Sequence, residues 1–186
     1  IVVDLLVKAF NRFRNENEIR LVSIASGSAQ AVIEAIKRCP HLKIKAVFID
    51  VDKSALSESA RLSNLARLND EITFVRGTPK ALNKVCRSFP PHIIEMVGFL
   101  DYLPKERAIQ LIGQIEENLP SGGIFLTCNI RKNPEKILLD WAFLWPMIYR
   151  SKTEFAQILT DGGFFPENVE LVYEPHEIHG IGVCRK

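Results

Sequence analysis

A change of rhythm near the end of the chain constrains its fold more than any other feature. Up to Ile130, short β-rich segments alternate with helical ones. Beyond it, two β-rich segments, Val169 to Glu174 and Gly180 to Arg185, follow each other with only about five residues between them. Parallel neighbours in one sheet need a crossover of about a dozen residues or more, so these two strands must pair antiparallel. A parallel α/β sheet that finishes in an antiparallel hairpin is a narrow class.

The alternation before that point is regular. Val3, Leu6, Val7 and Phe10 stand at helical spacing within Val2 to Arg14. Ile19 to Ser26 reads as a strand that runs into the small residues Ser26, Gly27 and Ser28, after which Ala29, Val32, Ile33 and Ile36 restore the helical period. Ile44 to Val51 carries the continuous apolar run of a buried parallel strand. The helix after it is expected to bury Leu62, Leu65 and Ala66. Glu71 to Gly77 is the third strand, and Thr78-Pro79 is a cap and first turn for the next helix. His92 to Phe99 is the fourth strand. A helix from Pro104 shows one stripe of Ala108, Leu111, Ile112, Ile115 and Leu119, and Ile124 to Ile130 is the fifth strand. Pro134 to Trp145 reads as helical. Ser151 to Glu154 is a capping box for a further helix that stops at Gly162-Gly163. The pattern predicts five parallel strands with helices on both faces, then the hairpin at or near one edge.

At 186 residues the chain is the size of one domain. Its 24 basic residues are scattered among 22 acidic ones, which leaves no footprint for nucleic acid. No apolar stretch reaches the roughly 18 residues of a membrane span. Cys39, Cys86, Cys128 and Cys184 form no CxxC, and three of them sit in or beside apolar runs, which reads as buried free thiols of a reducing, cytoplasmic compartment. The chain begins at Ile1 already in helix, so 1–186 reads as a single domain cut from a longer protein.

Three segments carry a family resemblance: LVSIASGSAQ at Leu21 to Gln30, FIDVDKSAL at Phe48 to Leu56, and Phe99 to Asn129 with its PSGG turn. Together the chain resembles the class I S-adenosylmethionine-dependent methyltransferases. The resemblance implies a Rossmann-like α/β three-layer sandwich, with seven strands of which the last is inserted antiparallel beside the fifth. It also implies S-adenosylmethionine as cofactor. The family's first-strand motif is an acid followed by glycines at alternate positions. Here Ser23 stands for the acid, Ala25 and Ala29 stand for two of the glycines, and Gly27 remains. Thr78 replaces a common aspartate after the third strand.

Carried onto this sequence, the resemblance makes Ala25, Ser26 and Gly27 the turn beneath the cofactor. Asp50 would accept from the ribose hydroxyls, leaving Asp52 or Ser54 to cap the next helix. Val51 would contact adenine, Thr78 the adenine edge, and Gly98 and Phe99 would wall the methionine side. Asp101 and Tyr102 follow the fourth strand, at the carboxyl end of the sheet where an acceptor arrives, and are the catalytic candidates. Tyr149 and Arg150 are candidates for gripping an acidic acceptor, and Trp141 and Trp145 for a lid or core stripe. His176 and His179 lack a third ligand and read as a solvated turn, so no metal is expected. The expected activity is methyl transfer to a small molecule. The alternative is a methyltransferase-like module that binds without turnover, favoured by the two alanines. A nicotinamide dehydrogenase is disfavoured by the absence of GxGxxG, a serine hydrolase by the absence of GxSxG.

Overall fold

The computed structural model describes residues 1–134, 144 and 146–186. Seven strands form one sheet in the order β3-β2-β1-β4-β5-β7-β6. They are β1 (Ile19–Ile24), β2 (Ile44–Asp50), β3 (Ile72–Arg76), β4 (Ile93–Met96), β5 (Ile124–Ile130), β6 (Val169–Tyr173) and β7 (His179–Arg185). The first five pair in parallel. Strand β7 runs antiparallel to both β5 and β6, which leaves β6 at the edge. The hairpin expected from the short link is present, and Glu174 holds its turn by accepting from the amides of His176, Ile178 and His179.

The period-two alternation of the strands sorts their apolar side chains into two cores. Ile19 and Leu21 of β1, with Ile44, Ala46 and Phe48 of β2, pack against α1 (Val2–Arg12) and α2 (Gln30–Lys37). Val22 and Ile24, with Val47 and Ile49, face the opposite layer. That layer is α4 (Leu82–Ser88), α5 (Lys105–Asn118) and α6 (Lys152–Asp161). Covering both faces is what makes these strands read as unbroken apolar runs. The stripe predicted for α5 is buried as expected. Among the described residues, no helix is long and apolar enough to cross a membrane.

Three local expectations change. Helix α3 (Lys53–Leu65) turns Leu56, Ser59 and Ser63 inward, while Leu65 is 71% exposed. The serines allow this face to lie close to the sheet, and Ser63 satisfies its hydroxyl on the Ser59 carbonyl. Strand β4 stops at Met96 rather than Phe99, because Gly98 takes a φ of 84°, in the left-handed region. Thr78 and Pro79 open a short 3-10 turn, Pro79–Ala81, before α4 begins. Trp141, Trp145 and most of the helix predicted before Pro146 lie outside the described residues.

Candidate active site

The strand order reverses between β1 and β4, since β2 and β3 lie on one side of β1 and β5 on the other. Connections leave such a point in opposite directions and open a crevice beyond the carboxyl ends of the strands. The turn after β1 forms one wall. Along it Ala25, Gly27 and Ala29 take φ values of 50°, 54° and 51°. Every second residue is therefore left-handed, the conformation for which glycine is the ordinary choice. An L-residue there costs about 1–2 kcal/mol, yet the two alanines keep the shape. The amide of Ser26 donates to the Ile49 carbonyl at 3.1 Å, and that of Ala29 to Ser26 at 2.8 Å, which fastens the turn to β2 and to itself. A Cβ built on Gly27 or Gly98 would meet nothing within 4 Å, so both backbones border open space. Ser26 Oγ is buried with no hydrogen-bond partner among the described residues.

Asp50 ends β2 beside this turn. Its Oδ2 accepts from the Gly27 amide at 2.8 Å and its Oδ1 from the Asp52 amide at 2.9 Å. The sequence expectation reserved this carboxylate for a ligand. In the structure it is also a tether between two strand ends, although each oxygen keeps a lone pair. Asp52 caps α3 as expected, accepting from the amide and hydroxyl of Ser54 at 2.7 Å. Those bonds hold its carboxyl below the usual range. Val51, next to Asp50, is 54% exposed. Thr78 is exposed and accepts from the Lys80 amide, the role of a cap.

On the far side, Gly98 is exposed and Phe99 half-buried, packed against the core beneath. Asp101 is only 2% exposed. Its Oδ1 accepts from Asn129 Nδ2 at 2.7 Å and from the Ile130 amide at 2.8 Å. Arg150, also buried, donates to Asn129 Oδ1 at 2.6 Å, to the Leu100 carbonyl at 3.0 Å and to the Leu103 carbonyl. Burial raises the Asp101 carboxyl, while the Ile130 amide and Arg150 pull it back. The two expected site residues are thus joined through Asn129, but in a buried knot, and the Arg150 guanidinium faces carbonyls rather than solvent. Tyr102 is the exposed member of this side, and Tyr149 is half-buried.

Sequence reasoning passed over two buried polar residues toward the carboxyl ends of β4 and β5, Glu95 and Asn129. Glu95 sits in β4 beside Ser23 of β1 in register. Ser23 Oγ donates to Glu95 Oε2 at 2.5 Å, and the Val97 amide donates to Oε1 at 2.9 Å. Burial pushes the Glu95 carboxyl up to about 7 against those two bonds. The available signal was a charge in the middle of the apolar run Ile93 to Val97, in a strand expected to be covered on both faces.

No family model matches the sequence, and no curated protein matches it. Solved structures do match in fold. An O-methyltransferase family protein from Burkholderia thailandensis has a TM-score of 0.76 at 13% identity, over 99% of this chain and 55% of that one. An O-methyltransferase family 2 protein from Planctomyces limnophilus, in complex with apigenin, has a TM-score of 0.71 at 17% identity, over 90% of this chain and 50% of that one. PigF with S-adenosylhomocysteine has a TM-score of 0.67 at 17% identity, again over 90% and 50%. The chain spans about half the length of these structures. Strand order, antiparallel hairpin and these likenesses agree: the chain has the class I S-adenosylmethionine-dependent methyltransferase fold.

Proposed function

We propose that this domain belongs to a methyltransferase that uses S-adenosylmethionine and acts on a small-molecule acceptor. The observation that carries the reading is the turn after β1, where left-handed backbone recurs at positions 25, 27 and 29 and its centre is tied to Asp50. The sequence has lost two glycines there and the backbone has kept their conformation. The open flanks of Gly27 and Gly98 and the unpartnered Ser26 hydroxyl fit a ligand laid across the turn.

S-adenosylmethionine supplies a sulfonium methyl group for in-line displacement, so the protein's task is to hold, orient and exclude water. Asp50 accepts from the ribose hydroxyls with the lone pairs its two amide bonds leave. Val51 offers an apolar flank to adenine, and Thr78 a hydroxyl to its edge. Ala25, Ser26 and Gly27 carry the ligand on their backbone, and Gly98 and Phe99 close its other side. Tyr102 meets the acceptor, while Asp101 and Arg150 fix the wall on which it stands. Tyr149 lies next to that wall. The apigenin complex of one structural neighbour supports a small-molecule acceptor.

A second reading is a module that binds the cofactor without turnover. It is favoured by the strained alanines and by the inward facing of Asp101 and Arg150. Thermal melts with S-adenosylmethionine, S-adenosylhomocysteine and NAD test the cofactor assignment. The two S-adenosyl ligands are expected to raise the Tm and NAD to leave it unchanged, since a ligand at a hundredfold excess over Kd stabilises by about 2.7 kcal/mol. No shift at millimolar ligand overturns it. Binding without methyl transfer across a panel of phenolic and carboxylate acceptors selects the second reading.

A further inference from the structure

Placing Thr78, Asp50 and Gly27 at the cofactor gives the bound molecule a direction. These residues stand at the ends of β3, β2 and the turn after β1, which are consecutive in the sheet. A nucleoside with adenine over β3 and β2 and its ribose at Asp50 carries its amino-acid end past β1 toward β4. The polar residue near that end of β4 is Glu95.

Glu95 and Ser23 occupy one face of the sheet. Ser23 alternates with Val22 and lies on the side of Leu21, and Glu95 lies on the side of Ile93. The carboxylate accepts one hydrogen bond at each oxygen, which leaves acceptor capacity at both. No cationic side chain among the described residues perturbs or pairs with it. A buried carboxyl whose partners are a hydroxyl and an amide is costly as an anion, so it either holds a proton or meets a cation. Past the ends of the two strands that carry Ser23 and Glu95 come the open backbones of Gly27 and Gly98 and the unpartnered Ser26 hydroxyl. The ligand inferred for this crevice carries an ammonium group at the end that reaches β4.

We propose that Glu95, braced by Ser23, binds the ammonium group of the cofactor's amino-acid end, so that the acid missing from the first strand is supplied by the fourth. This rests on the methyltransferase reading above. Isothermal titration with S-adenosylhomocysteine and its deamino analogue, which lacks only that ammonium group, tests it. The wild-type protein is expected to prefer S-adenosylhomocysteine by about tenfold to a hundredfold, the range of one charge-assisted hydrogen bond. Glu95→Gln keeps the shape and removes the charge, and should bind both ligands alike. Three results overturn the proposal: a wild-type protein without preference, a Glu95→Gln protein that keeps it, or equal weakening of both ligands. The first needs no variant to fold. If the wild type binds neither ligand, the methyltransferase reading itself falls and takes this proposal with it.

Discussion

Ala25 and Ala29 hold backbone that an L-residue adopts at a cost, and neither is forced to by its own chemistry. Glycine at either position removes that strain but adds entropy to the unfolded chain. The expected balance is a gain of about 0.5–1 kcal/mol for each of Ala25→Gly and Ala29→Gly. For a chain of this size that is roughly 2–4 °C in Tm per kcal/mol, readable in thermal melts, and a lower Tm would refute the strain. Asp50 has two duties, so Asp50→Ala should show two effects. Loss of the acceptor for the Gly27 and Asp52 amides should cost about 1–3 kcal/mol of stability in a urea titration. Loss of the ribose contacts should weaken S-adenosylhomocysteine by about tenfold to a thousandfold in calorimetry. Asp52→Ala removes only a cap, so about 0.5–2 kcal/mol of stability should go while affinity stays. The cap at Asp52 was legible because its partner Ser54 is two residues away. The tether from Asp50 to Gly27 was not, because 23 residues separate them.

Helix α6 shows the same division between local signal and tertiary contact. Its start is legible, since the Ser151 hydroxyl accepts from the Glu154 amide and the Glu154 carboxylate accepts from the Ser151 amide. Its end was read from Gly162-Gly163, and it does stop there, with Gly163 at a φ of 110°, whereas Gly162 has a φ of −79° that any residue tolerates. What requires glycine there is α5. A Cβ at residue 162 would lie 2.3 Å from Ile112 Cγ2 and 2.7 Å from Ile112 Cβ. Gly162→Ala should therefore push the two helices apart and cost about 1–3 kcal/mol in denaturant titration. An unchanged midpoint would mean that α5 and α6 slide freely. Strand β4 is the converse case. Its sequence continues as a strand to Phe99, but Gly98 and the Glu95 bond to the Val97 amide turn the chain away after Met96.

At the scale of the whole molecule, Glu95 couples stability to pH. Its ordinary value is 4.5 and its folded value is about 7, with burial as the cause. Between these values the folded protein keeps a proton that the unfolded chain has lost. The Glu95 contribution is therefore complete below pH 4.5 and disappears as pH rises through about 7, on the order of 3 kcal/mol in total. Exposed carboxylates such as Glu34 and Glu177 sit below their ordinary range and act in the opposite direction, but they are common to the wild type and to Glu95→Gln. The titratable group that feels the Glu95 charge is Cys128, whose thiol burial pushes up to about 12. The stability difference, wild type minus Glu95→Gln, should fall between pH 4.5 and 7 in paired melts and then level. A difference that is flat or rises with pH would show Glu95 ionised in the folded state.

Among the described residues, the sequence by itself determined the succession of strands and helices along the chain, the antiparallel hairpin and the caps at Asp52, Thr78 and Ser151. Hydrophobic period, link length and capping are relations between residues a few positions apart, and the chain carries them wherever it folds. The tertiary structure decided which polar groups meet. It joined Ser23 to Glu95 across 72 residues, closed Asp101, Asn129 and Arg150 into a knot, and held two alanines in the conformation of glycine. Those contacts depend on which strands become neighbours and in what register, and that is set by burying both faces of the whole sheet at once.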